Sequence, residues 1–351
     1  MTETKQPDVS AGPAKSALRD VNFDPSAPLL EVENLQVEFH TRDGIAKAVN
    51  GVSFSVAEGE TLGILGESGC GKSVTAQAIM GILDTPPARI AGGEVRYRGV
   101  DLLQLDESKR RHVRANKIAM IFQDALSSLN PVFTVGWQLG ELYRMHTGAS
   151  RKDAKVKAIE MLELVGIPAA KARVDDYPHQ FSGGMRQRVM IAMALALKPD
   201  VIIADEPTTA LDVTVQAQVM QLLADLQQEM KMGLILITHD MGVVADVVDK
   251  ICVMYAGHAV EQADVYQIYE RPAHPYTKAL LESIPRVDQK GQELTVIKGL
   301  PPALVNAPPG CSFHPRCTFA TDRCKTDEPE LYAVPGGRSS ACHYWEEVIA
   351  K

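Results

Sequence analysis

Gly66-Glu67-Ser68-Gly69-Cys70-Gly71-Lys72-Ser73 is the stretch that decides the fold. It fits G-x-x-x-x-G-K-S/T at every fixed position. Glycines let the backbone bend until its N–H groups face inward on phosphate oxygens, and a helix starting directly after the loop adds its positive end. Lys72 has the reach for β- and γ-phosphates, and the Ser73 hydroxyl is a ligand for Mg²⁺. The flanks supply the context that the motif requires. Thr61 to Leu65 is a short apolar run before the loop, and a helix is predicted from Lys72 to about Leu83. Further upstream, Leu35, Val37 and Phe39 alternate with polar residues, as do Val52, Phe54 and Val56, with Arg42-Asp43-Gly44 as a turn between two half-buried strands.

Downstream, apolar strands alternate with helical spacing. Ile118 to Phe122 reads as a strand ending at Gln123, and Ser150-Arg151-Lys152-Asp153 resembles a capping box opening a helix that Gly166 stops. Val201 to Ala204 is a buried strand closing on Asp205-Glu206; Val215, Val219, Leu222, Leu226 and Met230 repeat at helical spacing up to Gly233; Leu234 to Ile237 is a further buried strand. This alternation predicts an α/β fold with a parallel sheet covered on both faces. A carboxylate at the Asp205 strand end can hold a Mg²⁺ water shell, and the next one, Glu206, can polarise a water for attack on a γ-phosphate. Acidic residues at strand ends are often only solvated; their company here favours chemistry.

Length and composition narrow the class. The 351 residues suffice for about two domains, and the net charge of −8 argues against a nucleic-acid partner. The longest apolar run, Val189 to Leu197, is nine residues, against the ~20 needed to span a bilayer. Residues 1–28 read as a flexible polar tail without an apolar leader segment, so a reducing compartment is expected. From about residue 261 the chain becomes proline-rich and reads as a separate C-terminal appendage holding Cys311, Cys317, Cys324 and Cys342.

Phe181-Ser182-Gly183-Gly184-Met185-Arg186-Gln187-Arg188 precedes an apolar helix and reads as a second anion-binding nest, for which Ser182 as a plain helix cap is the simpler alternative. One chain rarely needs two nests for one nucleotide, so the second is expected to serve a nucleotide held by a partner subunit. Phosphate loop, Gln123, the S-G-G-x-R-Q-R segment, Asp205-Glu206, Ala210-Leu211-Asp212 and His239 after an apolar strand occur in that order. The set resembles the nucleotide-binding domain of an ABC transporter over residues 29–260. Phe181 and Met185 depart from the usual L-S-G-G-Q signature.

The resemblance implies a RecA-like parallel core, an antiparallel β subdomain and a helical subdomain at about 124–188. It implies that Gly66, Ser68, Gly69, Cys70, Gly71 and Lys72 bind ATP phosphates, that Ser73, Gln123 and Asp205 place Mg²⁺ and the attacking water, and that Glu206 is the general base. His239 would contact the γ-phosphate and Glu206. Ser182, Gly183, Gly184 and Asp212 would act across a dimer. Phe39 falls where the family stacks an aromatic on adenine, or is a core strand residue.

Several stretches resemble one branch, the dipeptide/oligopeptide importer ATPases, which also holds nickel importers. These are Gln123 to Pro131, Ile237 to Ala245, His274-Pro275-Tyr276-Thr277 and Ala307 to Cys317. This resemblance implies a transport ATPase at the cytoplasmic face of the membrane, docked through segment 124–180 on two permease subunits. It implies pairing with a second, homologous ATPase subunit, and indirect service by an extracytoplasmic binding protein. A soluble ABC ATPase acting on DNA or the ribosome is the alternative, opposed by the single phosphate loop, the absence of a heptad run and the negative charge. A non-hydrolytic nucleotide sensor is opposed by Glu206 and His239.

The C-x5-C-x6-C-x17-C spacing lacks the close pairs common in zinc sites. The branch includes proteins with a 4Fe-4S iron–sulfur cluster at such cysteines, which ranks that cluster first. Zinc (with His314 and His343 as further donors) comes second, and four reduced thiols third.

Overall fold

A hairpin opens the fold in the computed structural model, which describes residues 21–124, 128–209, 211–284 and 297–350. Most of the tail expected over 1–28, together with Ala125, Leu126, Ser127 and Ala210, lies outside the described residues. Strands β1 (Leu30–Thr41) and β2 (Gly44–Val56) pair antiparallel with Thr41 opposite Gly44, so Arg42 and Asp43 make the predicted turn. Then come β3 (Thr61–Leu65), α1 (Lys72–Met80), β4 (Ala88–Tyr97), β5 (Val100–Asp101), α2 (Glu107–Asn116) and β6 (Ile118–Ile121). Strands β2, β1, β4 and β5 form an antiparallel sheet in that order.

The middle of the chain is helical: α3 (Val135–Thr147), α4 (Arg151–Leu164), α5 (Ala170–Arg173) and α6 (Gly183–Leu195). Ser150 caps α4 as its sequence predicts, its hydroxyl accepting the Asp153 N–H. Strand β7 (Val201–Asp205), α7 (Val213–Met230), β8 (Gly233–Thr238), α8 (Met241–Val244) and β9 (Lys250–Tyr255) complete the core. Strands β9, β3, β8, β7 and β6 lie side by side and parallel. All residues of β3, β7 and β8 are buried, as a sheet covered on both faces demands. Residues that alternate along them feed two cores: Ile202 and Leu234 face one, Ile203 and Ile235 the other.

Two helix ends differ from their predicted positions. Helix α1 stops at Met80, not Leu83, because Gly81 takes a left-handed conformation (φ 62°) and its N–H returns to the last turn. Helix α7 ends at Lys231 (φ 52°) rather than Gly233, which already belongs to β8. A Cβ on Gly233 would stand 2.9 Å from Leu29 Cδ2, so that glycine serves close packing instead of helix termination.

The C-terminal segment is not set apart from the core as its prolines suggest. Strand β10 (His258–Asp264) pairs with β9 and leads to α9 (Val265–Glu270) and α10 (Pro275–Glu282). After α11 (Asp322–Thr326), strands β11 (Tyr332–Val334) and β12 (Arg338–Ser340) extend the core sheet, with β12 antiparallel to β10, before α12 (Trp345–Ala350). The prolines interrupt long elements, but the short ones between them dock through Tyr276 and Phe313, both buried and in ring contact with Tyr255 of β9.

His274 caps α10 with Nδ1 accepting the Tyr276 N–H at 3.1 Å, and burial pushes its pKa down to about 3. The folded value lies below the unfolded value of 6.5, so its stabilisation is complete above pH 6.5 and is lost as pH falls toward 3. By about pH 5 the loss reaches roughly 2 kcal/mol. Glu261 accepts the Ala273 and His274 N–H groups and is pushed up to about 7 by burial, so it titrates with the opposite sign. His274→Asn keeps a capping acceptor and removes the titration. Unfolding measured at pH 7 and pH 5 should therefore show a smaller acid loss in the variant; equal losses contradict the assignment.

Candidate active site

The phosphate loop connects β3 to α1, and its conformation explains its glycines. Gly66, Gly69 and Gly71 have φ of 151°, 80° and 107°. A Cβ on Gly66 would meet the Met254 carbonyl oxygen at 2.2 Å, and one on Gly71 would meet that of Ala48 at 2.2 Å. Lys72 is buried and donates through Nζ to the carbonyls of Gly66 (2.8 Å) and Glu67 (3.1 Å), folding back over the loop.

A cavity of about 800 Å³ opens on this loop. Gly66, Ser68, Gly69, Gly71, Lys72, Ser73, Gln123, Glu206 and His239 line it, with Phe39, Ala46 and Ala48 at one side. Cys70 sits in the same loop but is buried behind it. Phe39 is half-buried in β1 opposite Ala46 and packs on the core beneath while facing the cavity, so both readings of it describe one position. Another part of the wall comes from a region to which sequence reasoning gave no role there: Leu280, Ser283, Ile297 and Leu304.

Two strand ends deliver the acids. Asp205 ends β7 and accepts the Ser73 hydroxyl at 3.0 Å. Burial pushes its carboxyl up, against the lowering effect of that hydrogen bond. A hydroxyl and a carboxylate side by side beside a phosphate loop fit Mg²⁺, which takes few protein oxygens and completes its octahedron with phosphate and water. Glu206 follows with φ 45°, a left-handed conformation costly for a residue bearing a Cβ, and its N–H is held by the Ile237 carbonyl at 2.9 Å. That turn exposes both carboxylate oxygens to partners. Oε2 accepts from Gln123 Nε2 (2.9 Å) and Thr209 Oγ1 (3.0 Å), and Oε1 lies 3.3 Å from His239 Nδ1. Thr209 was not singled out in the sequence, because a threonine three residues past an acid has no distinctive pattern.

Ser182, Gly183, Gly184 and Asp212 do not line this cavity. Ser182 is exposed and caps α6, its hydroxyl accepting the Met185 N–H at 3.3 Å. Asp212 is exposed and caps α7 through the Val215 N–H at 3.0 Å. Gly184 is required by packing, since a Cβ there would stand 2.6 Å from Val215 Cγ1.

The four C-terminal cysteines converge. Cys311, Cys317, Cys324 and Cys342 line one small cavity with His314 and His343, and none forms a disulfide. Among the described residues, no group of three or more His, Cys, Asp or Glu side chains is placed to share a metal ion. Backbone N–H groups of Phe319 and Tyr344 donate to Cys317 Sγ (3.3 Å) and Cys342 Sγ (3.4 Å). Burial raises the Cys311 thiol, and pushes those of Cys317 and Cys342 up to about 11 and about 12.

A phosphate loop on a parallel sheet, with Glu206 facing the same cavity and Asp205 reaching Ser73 from a strand two places away, defines a nucleotide-hydrolysing cassette. Residues 49–209 match the ABC transporter family, and residues 260–324 match the oligopeptide/dipeptide transporter C-terminal region. The dipeptide transport ATP-binding protein DppD of Escherichia coli (strain K12) is 48% identical over 316 residues, covering 90% of this chain and 96% of that protein. A putative peptide import ATP-binding protein of Brucella abortus (strain 2308) is 50% identical over 317 residues, covering 90% and 95%. Among solved structures, the ATP-binding cassette MJ0796, a dimer in a post-hydrolysis state bound to ADP and Pi, is similar at 28% identity and a TM-score of 0.60. That likeness covers 67% of this chain and 98% of the other. The chain belongs to the ABC transporter ATP-binding proteins and is an ABC-type ATPase.

Proposed function

We infer that this chain energises peptide uptake: it is the ATP-binding and ATP-hydrolysing subunit of an ABC importer for dipeptides or oligopeptides. The observation that carries the reading is the single cavity shared by the phosphate loop, Gln123, Glu206 and His239. No helix among the described residues is long and apolar enough to cross a membrane, so the path for the peptide must come from other chains. Two permease subunits supply it, with this chain peripheral at their cytoplasmic face and a homologous ATPase subunit beside it. The second region, typical of oligopeptide/dipeptide transporters, favours peptide over nickel as the cargo.

In the proposed mechanism Lys72 and the loop amides hold the β- and γ-phosphates, and Ser73 and Asp205, with Gln123, would hold Mg²⁺ and place the attacking water; the ion would supply positive charge at the phosphate oxygens. Glu206 accepts the proton of the attacking water. Gln123 and His239 hold its two oxygens from opposite sides and orient it, and His239 also donates to the γ-phosphate. Ser182 with the Gly183 and Gly184 amides completes the site of the neighbouring subunit, with Asp212 at the same seam. Co-reconstitution with the permeases and a binding protein should give ATP-dependent accumulation of labelled dipeptide. Uptake that does not need ATP overturns the reading.

The four cysteines are proposed to hold a 4Fe-4S cluster, with zinc the alternative. Support comes from four thiols that line one small cavity and from two N–H groups already aimed at sulfur, as hydrogen bonds to thiolate ligands require; the thiols must draw together to bind, since no three of the described donors are placed to share an ion. Raised thiol pKa values mean that a bound cation must draw the protons off. The role is structural, since the nucleotide chemistry needs no electron. Anaerobically purified protein should be brown with stoichiometric iron and sulfide, and each Cys→Ser change should lower complex yield more than turnover. Colourless protein with one zinc and no labile sulfide contradicts the cluster.

A further inference from the structure

Glu67 is a freely variable position of the phosphate-loop pattern, yet here it is the most heavily tied residue of the loop. Its N–H donates to Tyr276 Oη at 2.8 Å and its carbonyl accepts from Lys72 Nζ at 3.1 Å. Its carboxylate meets the Arg316 guanidinium fork: one terminal nitrogen donates to Oε2 at 2.6 Å, the other to Oε1 at 2.9 Å. Arg316 is 5% exposed and Glu67 26%, so the pair is largely shielded from water. The remaining donors of Arg316 are also engaged, with Nε on the Lys298 carbonyl (3.1 Å) and weaker contacts to Tyr255 Oη (3.4 Å) and the Ile297 carbonyl (3.5 Å). Tyr276 is fully buried against Tyr255 and Phe313. Two residues of the C-terminal segment therefore grip the loop, one by backbone and one by side chain.

We propose that Arg316 is a positioning residue for ATP: it fixes the first turn of the phosphate loop through Glu67 and cancels a negative charge that would otherwise face the polyphosphate. Glu67 lines the nucleotide cavity, so its unpaired carboxylate would repel the ligand there. A planar fork matches both carboxylate oxygens, which a lysine ammonium cannot do. Arg316 lies between Cys311 and Cys317, so the clamp makes nucleotide affinity depend on the fold of the cysteine segment. The inference rests on the ATP-binding reading of the cavity alone; ATP binding by the parent chain in the same assay checks that reading separately.

The test measures ATP affinity of the full chain and KM and kcat of the assembled transporter. Arg316→Met should weaken ATP binding and raise KM for ATP by ~10–100-fold, the scale of breaking a shielded charge pair, while kcat at saturating ATP stays within about 2-fold. Adding Glu67→Gln to Arg316→Met should recover most of the lost affinity, because the repelling charge is gone. Unfolding of the same variants separates the two roles: a merely structural arginine would put both the loss and the rescue in stability and leave ATP affinity of the folded protein near that of the parent. Where the methionine variant fails to fold, Arg316→Lys carries the test and should show an intermediate KM. Parent-like affinity in Arg316→Met or Arg316→Lys, or a double variant no better than Arg316→Met, overturns the proposal.

Discussion

Glu206→Gln leaves ATP binding by the chain intact and slows hydrolysis by the assembled transporter by ~10²–10⁴-fold, the usual cost of losing a general base. The amide keeps the size of the carboxylate but cannot take a proton from water. It also turns one acceptor into a donor, in a place where Gln123, Thr209 and His239 surround the group. The amide oxygen can still accept from Gln123 and Thr209 while the new N–H points at His239 Nδ1, which accepts in one neutral tautomer, so the packing around the group can be kept. The left-handed backbone at Glu206 is unchanged by the swap, so the fold should persist. Single-turnover hydrolysis and equilibrium ATP binding separate the two effects. Turnover near that of the parent would remove Glu206 from the role.

Ser182→Arg abolishes activity of the composite site, at least ~100-fold by analogy with the loss of a transition-state anion donor, and leaves ATP binding by the isolated chain unchanged. Ser182 lies outside the cavity of its own chain, exposed at the N-terminus of α6. Loss of its cap on Met185 costs only ~1 kcal/mol of stability. An arginine projecting from that exposed helix end would obstruct a partner's nucleotide, not its own. Measured on the isolated chain, an equal loss of ATP binding would mean that the motif acts within one chain, and the dimer reading would fall.

What the sequence made legible is what local geometry forces. The phosphate loop could be read because the backbone at Gly66, Gly69 and Gly71 excludes most other residues, and because an apolar run and a helical pattern flank it. The buried parallel strands could be read because β7 and β8 are uninterrupted apolar runs up to their last residues, Asp205 and Thr238. Long-range pairs whose members lie outside any motif were not legible. Arg316 and Glu67 are 249 residues apart, and neither position carries a periodicity or motif that points to the other. The wall at Leu280, Ile297 and Leu304 was hidden for the same reason, since aliphatic residues between prolines look alike wherever they pack. The separation of the C-terminal segment was overestimated because proline density reports broken elements; it says nothing of sheet extension. Strands as short as β11 and β12, three residues each, leave no alternation to detect.

The central claim is that the cavity around Lys72 and Glu206 hydrolyses ATP to move peptide. Its most direct measurement is the ATPase rate of the reconstituted transporter with and without peptide-loaded binding protein, in parent and Glu206→Gln forms. The account predicts a rate that rises when peptide is presented and a Glu206→Gln complex that stays at background in both conditions. A rate indifferent to peptide, or a Glu206→Gln complex that hydrolyses ATP like the parent, would contradict it.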